Sequence, residues 1–149
     1  MSKINFSDEY FMQLALKEAK EAYLKDEIPV GAIIVSNNQI IAKAHNLTET
    51  LNDVTAHAEM LAITSASETL GGKYLTNCTL YITLEPCVMC AGAIQWSQLS
   101  RIVFGAPDPQ RGFMRHTPMI KHPKTTIEGP IMEQACGELI KQFFASKRN

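Results

Sequence analysis

The amino-acid sequence predicts an α/β fold, a three-layer α/β/α sandwich in which a mixed five-stranded sheet carries helices on both faces. Apolar runs of strand length at 30–35, 39–45, 79–84 and 101–105 are interleaved with stretches whose apolar residues recur every three or four positions. The succession strand, helix, strand over 79–105 requires a right-handed crossover and therefore a parallel pair. The 149-residue chain is 46% hydrophobic, enough for a sizeable core without disulfide staples. It shows no repeat, linker or low-complexity tract, so one domain spanning 1–149 is expected.

Each element has a local reason. Ser7 followed by Asp8 and Glu9 reads as an N-cap with acids in the first turn, and Phe11, Leu14, Ala15, Ala19, Ala22 and Tyr23 keep helical spacing to about residue 26. VGAIIV and QIIAKAH are short apolar strands joined through Ser36-Asn37-Asn38, where the asparagines tolerate the positive φ of a tight antiparallel hairpin. TAHAEMLAITSASET has helical periodicity behind a capping-competent Thr55, with His57 and Glu59 in its first turn. TLYITL is β-branched and aromatic enough for a central strand. A helix beginning at Pro86 and Cys87 runs to about residue 97, and RIVFG follows as a strand. Residues 106–130 hold five of the seven prolines and read as loop, apart from a short strand at 125–129. The segment 131–147 closes the chain as an amphipathic helix with Met132, Ala135, Leu139, Ile140 and Phe143 toward the core.

Composition narrows the functional classes. MSKINFSDEYF lacks the apolar stretch of a signal peptide, and no run approaches the ~20 apolar residues of a membrane span. A soluble cytoplasmic protein with no membrane partner is expected, its cysteines being thiols or metal ligands rather than disulfides. Residues 1–100 hold 6 Lys+Arg against 11 Asp+Glu, whereas 101–149 hold 8 against 4. The basic last third suits a polyanion such as RNA, and suits a solvated mixed-charge surface equally well.

Two helix starts concentrate the chemistry. Cys87 and Cys90 open a helix at the carboxyl end of a central strand, and His57 and Glu59 open another; in open α/β sheets ligands bind at that edge. Two thiolates and one imidazole match the three protein ligands of a catalytic zinc, whose fourth position is left for water. Glu59, two residues beyond His57, is placed to move that water's protons without being a ligand. His45, His116 and His122 lack this spacing. A redox C-x-x-C is the rival reading and leaves His57 and Glu59 without a role. Cys78 and Cys136 read as ordinary buried cysteines.

His57-Ala58-Glu59 together with Pro86-Cys87-Val88-Met89-Cys90 resembles the signature of the zinc-dependent cytidine deaminase-like superfamily. Within it the chain is similar to the bacterial tRNA-specific adenosine deaminases, through EIPVGAIIV, Asn46, TAHAEMLAI, TLYITLEPCVMCAGAI, RIVFGAPD and ELIKQFF. The resemblance implies a cytidine deaminase-like sandwich and one Zn2+ per chain on His57, Cys87 and Cys90. It implies zinc-activated water as nucleophile, Glu59 as proton shuttle, and conversion of a tRNA wobble adenosine to inosine. Substrate contacts are implied at Asn46, Val30, Ala58, Leu84, Pro86 and Asp108, with a tRNA anticodon stem-loop and a second copy of the chain, as a homodimer, for partners. After Asp108 the likeness thins, and the basic segment there holds Arg111, Arg115, His116, Lys121, His122 and Lys124. Phe143 and Phe144 are expected to place at least one ring in the core. Deamination of a free guanine, cytosine or nucleoside is the alternative chemistry, and a silent zinc-stabilised RNA-binding module the alternative class.

Overall fold

Ser7 caps the first helix as its sequence requires, its side-chain oxygen accepting from the Tyr10 amide at 3.1 Å. The computed structural model describes residues 5–116 and 120–148. In chain order the elements are α1 (Asp8–Leu24), β1 (Gly31–Ser36), β2 (Gln39–His45), α2 (Ala58–Leu70) and β3 (Thr79–Leu84), then α3 (Val88–Ser97), β4 (Arg101–Ala106), a 3-10 turn (Phe113–Arg115), β5 (Thr126–Glu128) and α4 (Glu133–Lys147). The five strands form one sheet in the order β2-β1-β3-β4-β5. β1 is antiparallel to β2 and β3, while β3, β4 and β5 run parallel. The β1–β2 hairpin turns through Asn37 and Asn38, both at positive φ (51° and 61°).

Strand alternation distributes the core between two faces. Ala32 and Ile34 of β1 pack with Ala58, Ala62 and Ala66 of α2 and with Ile94 of α3. Ile33 and Val35 point the other way, against Phe11, Met12, Ala15 and Ala19 of α1, a cluster that Cys136 of α4 completes. Burial of each large aliphatic side chain contributes roughly 1.5–3 kcal/mol. α1 lies so close to the sheet that a Cβ on Gly31 would come within 2.0 Å of the Ala15 carbonyl oxygen. Only glycine fits there, and the close approach fixes the start of β1.

Three local expectations shift. α2 begins at Ala58 with His57 as N-cap, because the Thr55 hydroxyl and amide both donate to Asp53 Oδ1, at 2.7 and 2.8 Å, within the preceding loop. α3 begins at Val88 with Cys87 as N-cap, so the predicted first residues Pro86 and Cys87 both precede the helix. In α4, Ala135 is exposed and Cys136 takes the buried position, with Met132, Leu139 and Ile140 half-buried and Phe143 buried. The helix starts at Glu133, so its inward stripe runs through 136, 139, 140 and 143. Part of the basic segment, residues 117–119, lies outside the described residues.

Candidate active site

One edge of the sheet gathers the residues that the two helix starts singled out. β1 and β3 are antiparallel, with Ala32 opposite Ile82, so the beginning of β1 lies beside the end of β3. His45 at the end of β2 pairs with Gly31, and the parallel β4 ends beside β3 with Ala106 opposite Leu84. Val30, Asn46, Leu84 and Ala106 therefore meet at one end of the sheet. From there the chain enters α2 through His57 and α3 through Cys87.

The His57 Nδ1 atom lies 3.7 Å from Cys87 Sγ and 3.4 Å from Cys90 Sγ. The three donor atoms fall within 4.8 Å of one another. This donor set fits one tetrahedral zinc, two sulfurs and one imidazole nitrogen, with a further position left for a water or substrate atom. Hydrogen bonding from Cys90, reinforced by His57, pulls the Cys87 thiol down to about 4. Cys90, bonded to Cys87 and fully buried, is displaced upward. The Cys87 partner also raises His57. Both N-caps lie at the positive ends of helix dipoles, which favours the negative charge of thiolates. Glu59, in the first turn of α2, is 4% exposed, and burial pushes its carboxyl up to about 7.

His57, Glu59 and Cys87 form one wall of a cavity of about 710 Å3, with Cys90 fully buried next to them. Val30, Asn46, Ala58, Leu84 and Asp108 line it with His57, Glu59 and Cys87; Pro86 does not. Pro86 is buried behind the wall, where its carbonyl accepts from the Phe113 amide at 2.9 Å. Asn46 is anchored by its backbone amide, which donates to the Val30 carbonyl at 3.1 Å. Arg111, Lys141 and Phe144 also line the cavity. Phe144 is 41% exposed and Phe143 is in the core, so the aromatic pair divides its work.

Two residues that the motifs did not reveal hold the loops on either side. Glu27 is fully buried and accepts from the amides of Glu49 and Thr50 and from the Thr50 hydroxyl. Its burial disfavours charge, but those hydrogen bonds outweigh it and lower the carboxyl below its ordinary value. Glu85 does the same for the loop after β4, accepting from the amides of Asp108 and Met114. The only sequence signal for either was a carboxylate beside an apolar strand, which gives no hint of the amides that converge on it.

The model of the cytidine and deoxycytidylate deaminase zinc-binding region matches residues 6–106, which include all four groups at the helix starts. Along nearly the whole chain the likeness is narrower: the tRNA-specific adenosine deaminase of Aquifex aeolicus is 46% identical, over 95% of this chain and 96% of its own length. The chain belongs to the tRNA-specific adenosine deaminases of the cytidine deaminase-like superfamily. Among solved structures, one from a study of A-to-I editing by tRNA:A34 deaminases at the wobble position superposes with a TM-score of 0.82 at 40% identity, covering 87% of this chain and 98% of that one. A guanine deaminase from Nitrosomonas europaea superposes at 0.86 over 96% and 87% of the two chains, but at 23% identity it shows the shared fold alone. As a member of this family the chain is a zinc-binding deaminase, and His57, Cys87 and Cys90 form the group able to hold the ion. Among the described residues no helix is long and apolar enough to cross a membrane.

Proposed function

We propose that this chain hydrolyses the wobble adenosine of a tRNA anticodon stem-loop to inosine. The observation that carries this reading is a donor set for zinc, two of whose members share one cavity wall with a buried carboxylate, in a cavity whose lining also includes the cations Arg111 and Lys141. The cavity volume lies within the ~300–1,000 Å3 of small-molecule sites, suited to a single base swung out of its stack.

Zinc, held by His57, Cys87 and Cys90, supplies Lewis acidity that makes water a nucleophile near neutral pH. The remaining work belongs to the chain. Glu59 would accept one proton from the attacking water and deliver it to a ring nitrogen, then take the second from the hydroxyl now on the adenine C6 and pass it to the amino group, which departs as ammonia as the C6 carbonyl forms. The Asn46 side chain, whose Nδ2 donates to the Thr48 hydroxyl at 3.4 Å, keeps its Oδ1 and second N–H for the base, and Val30, Ala58 and Leu84 offer apolar surface while excluding water. Asp108 accepts from the amides of Gln110 and Arg111, both at 3.1 Å, and so shapes the rim that meets the flanking nucleotides. Pro86 contributes from behind by supporting that rim.

A homodimer accompanies this reading. Val88, Met89 and Trp96 of α3 are exposed, Trp96 by 81%, and a second copy would cover this apolar face beside the zinc ligands. Sedimentation at working concentration is expected to show a dimer that Trp96→Glu dissociates. The cytoplasm, where tRNA is handled, is the corresponding location.

Incubating zinc-loaded protein with an anticodon hairpin tests the reaction. One inosine at the wobble position and one ammonia per event are expected, and a hairpin left unmodified would overturn the reading. Glu59→Gln is expected to keep zinc and fold while losing about 100- to 10,000-fold in turnover, the usual worth of a positioned acid-base group. Loss of zinc from that variant would make Glu59 a ligand instead.

A further inference from the structure

We propose that Glu85 is a positioning residue for substrate: its carboxylate holds the 108–114 wall of the cavity and thereby sets how tightly the substrate is bound. The inference rests on the deaminase reading above for the identity of that substrate, but its structural part does not.

Glu85 lies two residues before the ligand Cys87, yet its side chain points into a different task. It is 6% exposed, and both of its oxygens are occupied. Oε1 accepts from the Asp108 amide and Oε2 from the Met114 amide, each at 3.0 Å. These donors are six residues apart, so one carboxylate closes the two ends of a loop. Two backbone amides converge on this one buried side chain, and no ion pair satisfies Glu85 among the described residues. The loop is moulded to it. A Cβ on Gly112 would come within 2.0 Å of Oε2 and 2.2 Å of Cδ, although the Gly112 φ of −65° suits any residue. Space, and not backbone conformation, requires glycine at 112.

The rest of the loop's support is local, from the Asp108 side chain, which accepts from the Gln110 and Arg111 amides, and from the buried Phe113 ring. Gly112 N donates to the Asp108 carbonyl and Phe113 N to that of Pro86, both at 2.9 Å, and the Arg115 guanidinium donates to the Gln110 carbonyl at 2.8 Å. Between the two clamped amides lie Pro109, Gln110 and Arg111, which with Asp108 line the cavity. Glu27 clamps the opposite loop in the same manner but is not itself part of this cavity wall. Glu85 follows the end of β3, lines the cavity and bonds two amides of its wall.

Glu85→Gln keeps the shape and replaces one acceptor with an NH2 that faces a backbone N–H. With zinc-loaded protein, amide exchange at Asp108 and Met114 is expected to accelerate about 10-fold or more as the local hydrogen bonds weaken. KM for the adenosine hairpin is expected to rise about 10-fold with kcat within about 3-fold, the pattern of lost binding that is equal in ground and transition states. Zinc should stay at one per chain. Glu85→Asp, which keeps both acceptors, should recover part of the KM, which a purely structural lesion would not do without also moving kcat. Unchanged exchange, an unchanged KM, or loss of zinc would each overturn the proposal. Should Glu85→Gln fail to fold, Gly112→Ala perturbs the same clamp, its Cβ meeting the Glu85 carboxylate at 2.0 Å and the Asp108 carbonyl oxygen at 2.5 Å, and the same measurements apply. If the unaltered protein makes no inosine, the deaminase reading fails on its own, and amide exchange, which needs no substrate, decides whether Glu85 holds the wall.

Discussion

The two ends of β3 and β4 hold charged clusters built on opposite principles. Where β4 begins, the Arg101 guanidinium donates to both oxygens of Asp8, at 2.9 and 2.6 Å, to Glu128, and to the Tyr81 hydroxyl, which itself donates to Asp8. Each group there is moved toward the ionisation state it already prefers: Arg101 holds the Asp8 and Glu128 carboxyls below their ordinary range, and burial with Asp8 pushes the Tyr81 phenol up to about 12. Where the strands end, burial displaces Glu59 toward its neutral form, the hydrogen bond with Cys87 followed by burial does the same to Cys90, and Cys87 is displaced toward its charged form. The first cluster is self-satisfied and fastens the end of the sheet. The second is complete only with a cation among its donors, which is the difference between a structural ion network and a site.

The largest effect expected from breaking this contrast is at the ligands. Cys90→Ala should empty the metal site and abolish turnover, read by metal analysis and inosine assay, with α2 and α3 still in place by circular dichroism. Next comes Arg101→Met, which strips Asp8, Tyr81 and Glu128 of their common partner. It should cost about 1–2 kcal/mol in denaturant unfolding, discounted for partial exposure, with zinc content and turnover retained.

The pH dependence of that network follows its shifts. Carboxyls lowered in the native state stabilise it fully above the unfolded value of about 4, and the contribution disappears as pH falls through the lowered native value. The raised Tyr81 acts in the opposite sense: its contribution is whole below about pH 10 and is lost as pH rises through about 12. Asp8→Asn should flatten the acid limb of an unfolding-against-pH curve and leave zinc binding alone. The smallest effect is at the rim. Replacing Arg111 and Lys141 together with Gln should weaken hairpin binding a few-fold and reduce its log–log salt slope by about 1.4, two phosphate contacts at about 0.7 each.

What the sequence discloses divides along the same line. His57, Glu59, Cys87 and Cys90 are legible because two residues or three suffice to place both partners on one helix start, and the strand before Cys87 declares the edge they occupy. The five strands and four helices are legible for the same reason, since period two and period 3.6 are local. Glu27 and Glu85 were not legible. Their partners are backbone amides 22 to 29 residues away, and an amide has no letter in a sequence. The exposed Ala135 and buried Cys136 show a milder limit: two small apolar neighbours in the first turn fit an inward stripe almost equally well by period alone. Of the basic tail, Arg101 is neutralised by two carboxylates and Lys147 pairs with Asp26, so net charge alone overstated the cations free for RNA.

The central claim is that the open cluster serves an adenosine presented by RNA. A competition in one vessel tests it most directly: zinc-loaded protein with an anticodon hairpin, free adenosine and guanine at equal concentration, the products separated and quantified at low and high salt. The account predicts inosine in the hairpin loop far in excess of any free product, with the excess shrinking as salt rises. Efficient, salt-insensitive deamination of guanine or free adenosine, with the hairpin untouched, would contradict it.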